Sequence, residues 1–223
     1  MTVTIHQPCF FPYPGVFKKI AASDVLIFLD DVQYTKGEFF ERNRIKTPQG
    51  VKWFKIPIDY RFGDTLNSIR IKHNVAWRDA ISRTLDENYK DAPHFSDYYT
   101  MTLEAISNGT DRLTKMSALS MKRINEVFGL RNVTYNSSWF NVPGKKTEKL
   151  VNLCKEVGAT KYLSGAGGRN YLDEELFAQA GIEVKYSDFH SPEYPQQHGE
   201  PFIPNLSILD YLFNCGADRD ILR

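Results

Sequence analysis

Side chains suited to chemistry crowd into three early clusters: His6-Gln7-Pro8-Cys9-Phe10-Phe11-Pro12-Tyr13-Pro14-Gly15, then Leu29-Asp30-Asp31-Val32-Gln33-Tyr34, then Arg42-Asn43-Arg44. His6 has the ring chemistry of a general base near neutral pH, and a neighbouring carboxylate would tune it; the alternative is a histidine that closes a strand. Asp30 and Asp31 point to opposite faces if the chain is extended there, so one of them can share a crevice with His6. That carboxylate could orient the imidazole, bind a metal or contact a sugar hydroxyl, or the pair could simply cap a turn. Arg42 and Arg44 flank Asn43, and guanidinium forks match the geometry of a diphosphate, although surface arginines are also often just solvated. Gln7, Tyr13, Gln33 and Asn43 supply further polar contacts beside these groups. Tyr34, Trp53 and Tyr171 offer rings for a base or a sugar, or for the core. Cys9 is either a thiol nucleophile or a small packing residue.

The first two clusters each follow a short run rich in Val, Ile, Leu and Thr, at 2–6 and 25–29, bounded by Pro or Asp. Such runs read as strands, so the clusters sit at strand ends. Between them Val16, Phe17 and Ile20 recur at helical spacing after Gly15, which lets the turn approach whatever it covers. Strand, loop, helix, strand is the opening of a parallel βαβ unit, and ligands of open α/β sheets bind at the carboxyl ends of such strands. Residues 51–58 read as a strand after a Pro48-Gln49-Gly50 hairpin turn, and 68–72 alternates like a half-buried strand paired to it. The period becomes helical from Trp77 to about Leu130, giving three helices separated by Ala92-Pro93-His94 and by Ser107-Asn108-Gly109-Thr110-Asp111. Alternation then returns: strand 133–135, helix 148–157, strand 162–164, helix 173–180, strand 182–186.

Two later features also carry chemistry. Ser164 and the Gly165-Ala166-Gly167-Gly168 turn follow a strand and precede a helix, so the turn's amides could face an anion, though the spacing matches neither the dinucleotide nor the P-loop fingerprint. His190 lies with Tyr194 and Gln197 in a proline-punctuated loop that could close over a site or cover a sheet edge. Asp210 interrupts a final apolar helix that Asn205 or Ser207 can cap, and a carboxylate there needs a partner.

The chain has 223 residues with 28 basic and 27 acidic side chains, a net charge of +1. No overall field recruits nucleic acid or a membrane surface. Three cysteines, Cys9, Cys154 and Cys215, show no metal-ligand spacing and fit a reducing compartment. The N-terminus lacks a leader pattern and no stretch is long and apolar enough to span a bilayer, so a soluble cytoplasmic protein without a membrane span is expected.

His6-Gln7-Pro8 with Phe11-Pro12 and Gly15, Phe28-Leu29-Asp30-Asp31-Val32-Gln33-Tyr34, Arg42-Asn43-Arg44-Ile45, Lys52-Trp53, Tyr162-Leu163-Ser164-Gly165, Tyr171-Leu172-Asp173 and Asn205-Leu206-Ser207-Ile208-Leu209-Asp210 together resemble the WbqC-like family across essentially the whole chain. The resemblance implies a bacterial protein associated with O-antigen or other surface-polysaccharide gene clusters, whose chemistry acts largely on nucleotide-linked sugars. Family members often carry Tyr or Asn at the position of Cys9, which points away from thiol chemistry. The opening also looks like that of nucleotidylyltransferases, without their histidine signature after Pro12. Phosphate electrostatics would then come from Lys18, Lys36, Arg42 or Arg44.

The expected fold is a single α/β domain over 1–223, a mainly parallel sheet with a nucleotidylyltransferase-like βαβ opening and a helical insertion at about 75–130. The leading functional expectation is a transferase acting on a nucleotide-linked sugar, specifically N-acyl transfer to an amino sugar. In it His6 is the base, Asp30 or Asp31 orients it and Arg42 and Arg44 hold the diphosphate. No cofactor would be tightly bound; acyl-CoA or another acyl donor would be the co-substrate. The alternatives are a nucleotidylyltransferase or ligase using ATP with Mg²⁺, and a non-catalytic assembly protein.

Overall fold

The protein, described here as a computed structural model over residues 1–73 and 75–223, is built outward from a central strand, β1 (Thr2–His6). Helix α1 (Pro14–Ala21) returns the chain to β2 (Val25–Phe28), which pairs in parallel with β1 from Val3–Val25 to His6–Phe28. Next come the hairpin β3 (Arg42–Thr47) and β4 (Gly50–Lys55), and a two-stranded ribbon of β5 (Ile58–Asp59) and β6 (Arg70–Ile71). Helices α2 (Trp77–Tyr89), α3 (Phe95–Ile106) and α4 (Leu113–Val127) follow, then β7 (Val133–Asn136), α5 (Lys146–Glu156), β8 (Lys161–Gly165), α6 (Glu174–Gln179), β9 (Glu183–Ser187) and α7 (Ile208–Cys215).

The five parallel strands lie in the order β7-β2-β1-β8-β9. Counting sheet strands along the chain, the order is 3-2-1-4-5, that of a doubly wound nucleotide-binding half, and the direction of winding reverses between β1 and β8. The expected mainly parallel α/β sheet is therefore present, and α2–α4 fall in the predicted helical region. The strand read over 51–58 is broken at Pro57, which has no amide hydrogen to continue a ladder, and the predicted 68–72 strand is reduced to β6 on β5.

Alternation along the strands divides the core between the two faces. Val3, Ile5, Val25 and Ile27 pack with Leu150, Val151, Leu153, Cys154 and Phe177 of α5 and α6. Leu26 and Phe28 join Val16, Phe17 and Ile20 of α1 and the apolar faces of the hairpin, α4 and α7. Gly15 is required where it stands, because a Cβ there would lie 2.8 Å from the Phe189 ring.

Two predicted site residues belong to this framework. Asn43 is buried in β3 and donates to the carbonyls of Phe10 and Phe11, 3.2 and 2.7 Å away, pinning the loop after β1 where Phe11 adopts φ 42°. Asp210 is buried in the first turn of α7 and accepts from Tyr89 Oη at 2.5 Å, Tyr194 Oη at 2.7 Å and Gln196 Nε2 at 3.0 Å. Its oxygens are thus committed to the protein, which removes it from the substrate-binding set and assigns it to fastening the loop between β9 and α7. Lys46 fastens the same loop through the carbonyls of Gly199 and Pro201.

Asp210→Ala strands two buried tyrosine hydroxyls and an amide, so it should cost about 3 kcal/mol. Urea unfolding followed by circular dichroism measures this; a loss below about 1 kcal/mol would contradict the role.

Candidate functional site

Between β1 and β8 the ladder stops early. Only Thr2–Lys161 and Val3–Tyr162 are paired, while both strands run three residues further. The splay opens a cleft of about 850 Å³ at the carboxyl ends of the central strands, the winding switch point where α/β sheets take their ligands. Ile5, His6 and Gln7 come from β1 and its exit, Leu29 and Val32 from the exit of β2, and Tyr162, Ser164 and Gly165 from β8. Gly167, Gly168 and Tyr171 close one side; Lys19 of α1 and Lys146, Lys149 and Leu150 of α5 close the others.

The electrostatics of this cleft are one-sided. Three lysines line it and, among the described residues, no carboxylate does. Lys19 is the most constrained, since its ammonium is buried and its acceptors are the carbonyl of Ile5 and His6 Nδ1, both at 3.3 Å. Two acceptors leave one of its three protons for the cleft. Burial without an acidic partner pulls the Lys19 pKa down to about 8. Burial, and then the Lys19 charge, hold the His6 pKa well below its usual value, so the ring is neutral. A charged Lys19 donating to Nδ1 fixes the tautomer: the proton is on Nε2, and Nε2 is buried with no protein partner. At neutral pH His6 therefore carries a hydrogen-bond donor rather than a lone pair at Nε2, and that atom is shielded from solvent at the edge of the cleft.

The carboxylates predicted to orient His6 do something else. Asp30, buried, accepts from Ser137 Oγ at 3.1 Å, the Ser138 amide at 2.9 Å and Ser138 Oγ at 2.8 Å. Asp31 accepts from Ser137 Oγ at 2.5 Å and from Lys149 Nζ at 2.7 Å. Both carboxylates reach the Ser137 hydroxyl, so the pair, at a bend in the chain, does not split between two faces as extended chain would require. Asp30 anchors the turn after β7, and Asp31 holds one cleft lysine in place. The neighbour that tunes His6 is Lys19.

Of the remaining predicted residues, Gln7, Ser164, Gly165 and Tyr171 line the cleft with His6, and Tyr171 is largely exposed there. Gly168 is required for packing, since a Cβ on it would overlap the Ser164 hydroxyl. Arg42, Arg44 and Trp53 form a separate group on the β3–β4 hairpin. The Arg42 guanidinium lies 4.4 Å from the Trp53 ring centre and bonds the carbonyls of Gly37 and Glu38, while Arg44 bonds that of Asn205. They are not cleft residues, so they are not its diphosphate clamp. Tyr34 is buried against Phe40 and Tyr60, a core ring rather than a stacking platform. Gln33 bridges Thr65 in an exposed segment, Tyr13 packs edge-on against Phe189, and His190 is exposed in the loop after β9. None of the three lines the cleft. Burial pushes the Cys9 thiol up to about 12, which leaves no thiolate for nucleophilic attack.

Lys19, Lys146 and Lys149 were not anticipated. Lys19 had a legible signal, because it falls with Val16 and Ile20 on the buried stripe of α1, whereas Lys18, one of the four cations considered for phosphate, is on the outer side. Lys149 carries no such mark, since its partner Asp31 is remote in sequence.

A family model described as "WbqC-like protein family" matches residues 7–220. Uncharacterized protein Rv1507c of Mycobacterium tuberculosis is 35% identical over 227 residues, covering 99% of this chain and 97% of that protein. No solved structure matches the chain significantly.

The buried cation gives a stability prediction with a definite sign. Lys19 binds its proton more weakly folded than unfolded, so folding is penalised below pH 8 and the penalty fades as pH rises from about 8 towards the unfolded value of 10.5. Lys19→Met keeps the length and removes the charge. It should raise Tm at pH 7 by a few degrees and flatten the rise in stability above pH 8, measured by calorimetry across pH; a lower Tm at every pH would contradict it.

Proposed function

We propose that this chain, which belongs to the WbqC-like protein family, is a transferase of bacterial surface-polysaccharide biosynthesis acting on a nucleotide-linked sugar. The observation that carries the reading is the switch-point cleft walled by Lys19, Lys146 and Lys149 with no carboxylate among its described lining residues. A nucleoside diphosphate supplies the missing negative charge. Its phosphates fit against Lys19 and Lys146, with Lys149 held beside them by Asp31, and against the turn at Gly165–Gly168, while Tyr171 offers a ring to the base or sugar.

The specific reaction proposed is N-acyl transfer to an amino group of the bound sugar from acyl-CoA or another acyl donor, in which the new C–N bond replaces the donor's acyl bond and the departing thiolate takes up the amine's proton. Attack by the amine puts negative charge on the acyl oxygen, and preorganised donors in a water-poor site are what stabilise it. The His6 Nε2–H and the free proton of Lys19 are such donors. His6 thus serves as an electrostatic donor in this reading, not as the base. The pH profile separates the two: a donor pair loses kcat/KM as Lys19 deprotonates near pH 8, whereas a base would gain it.

A second reading, nucleotidyl transfer from ATP with Mg²⁺, draws on the 3-2-1-4-5 strand order and on lysines suited to phosphate charge. Thermal shift with dTDP-, UDP- and GDP-sugars, ATP with Mg²⁺ and acyl-CoA separates them. A ligand at 100 times its Kd stabilises by about 2.7 kcal/mol, roughly 5–10 °C for a chain of this size. The transferase reading expects a shift with a nucleotide-sugar that Lys149→Ala reduces. A shift with ATP alone supports the second reading, and no shift with any of them overturns both.

A further inference from the structure

A second, smaller cleft lies across the wall formed by the exits of β1 and β2. His6, Gln7 and Leu29 face the main cleft, while the next residues along each strand exit, Pro8 and Asp30, line the other. Its volume is about 340 Å³, at the small end of the range of about 300–1,000 Å³ typical of ligand sites. Its floor is one face of α4: Lys115, Ala118, Leu119 and Lys122 recur at the three- and four-residue spacing that places them on one stripe. Its opposite wall is Trp139, 65% exposed. Polar side chains fill the ends, with Asn108 and Thr110 from the loop before α4, Thr114 from its first turn and Asn136 from the end of β7.

The Trp139 indole is held at this edge for identifiable reasons. Asp30 fastens the Ser137–Ser138 backbone just before it, and Tyr135 supports its ring edge-on at 6.4 Å. A large ring fixed in solvent, facing a shallow floor ringed by amide and hydroxyl groups, suits a pyranose, which has an apolar C–H face and a polar rim. Lys115 and Lys122, one at each end of the floor, form no ion pair among the described residues. They suit a negatively charged sugar better than a neutral one.

We propose that this cleft is a saccharide subsite for a hexose bearing an acid group, stacked on Trp139 with its carboxylate or phosphate held at the Lys122 end of the floor. Its position across the wall, where Pro8 follows two residues after His6, makes it a second sugar site beside the nucleotide site. Binding here does not depend on what the main cleft transfers.

Saturation-transfer NMR with glucuronate, glucose 6-phosphate and glucose tests the proposal, alongside Trp139→Ala and Lys122→Glu and with nucleotide-sugar thermal shift as a control on the main cleft. The expected result is saturable binding of either acid sugar, at least tenfold tighter than glucose. It should weaken at least tenfold in each variant while the nucleotide-sugar shift is unchanged. No saturable binding of either acid, glucose binding as tightly as the acids, or acid-sugar binding that survives Trp139→Ala would each overturn it. Trp139 is exposed, so its replacement leaves the core intact, and an unchanged Tm for both variants confirms that loss of binding is local.

Discussion

The site depends on a buried ammonium that has no carboxylate. Lys19 sits on the inner stripe of α1 because its neighbours Val16, Phe17 and Ile20 must pack on the sheet, and the carbonyl of Ile5 and the ring of His6 are what it meets there. Taking a cation out of water without an opposite charge is costly, and a fold keeps such an arrangement only where something compensates. Its consequences run outward: burial, reinforced by this charge, keeps His6 neutral, and the contact fixes the ring proton on Nε2, at the edge of a cleft already walled by Lys146 and Lys149. An anion seated there would satisfy all of these groups at once.

The cleft exists because the β1–β8 ladder ends two residues into β1, and its charge geometry exists because of the adjacent aspartates. Ser137 Oγ has one proton and lies within hydrogen-bond distance of both Asp30 and Asp31, closest to Asp31. Asp31 in turn fixes Lys149 at the main cleft, while Asp30 fixes the turn that presents Trp139 at the second one. A single dipeptide at the end of β2 therefore sets one wall of each cavity. Loss of either carboxylate would loosen both walls through Ser137, which gives the Asp-Asp sequence a structural reason that needs no contact with a reacting group.

Much of this fold was legible because its signals are local. The Val- and Ile-rich runs at β1, β2 and β9, the helical period of α2 to α4, and the Ser207 cap of α7 each depend on neighbours within a few positions. The site was only half legible for the same reason. His6, Gln7, Ser164, Gly165 and Tyr171 were found because strand ends and glycine turns mark them. The lysines were missed because a cation is read as solvated unless its helical phase is checked, and Lys149 is paired with a residue 118 positions away. Arg42, Arg44 and Tyr34 were misplaced because proximity in sequence to a strand end does not tell which way a following hairpin or loop folds. Asn43 and Asp210 look functional in sequence and are instead the buried polar pins that hold loops, a role visible only once their distant partners are known.

The account stands or falls on the state of Lys19. Its titration can be followed directly by NMR of the side-chain Cε and Nζ resonances, in the free protein and with a nucleoside diphosphate present. The account predicts a value of about 8 in the free protein, because burial disfavours the charge, and a clear upward move when the diphosphate binds, because an anion favours it. A free-protein value near 10.5, or a depressed value that ignores the diphosphate, would contradict it.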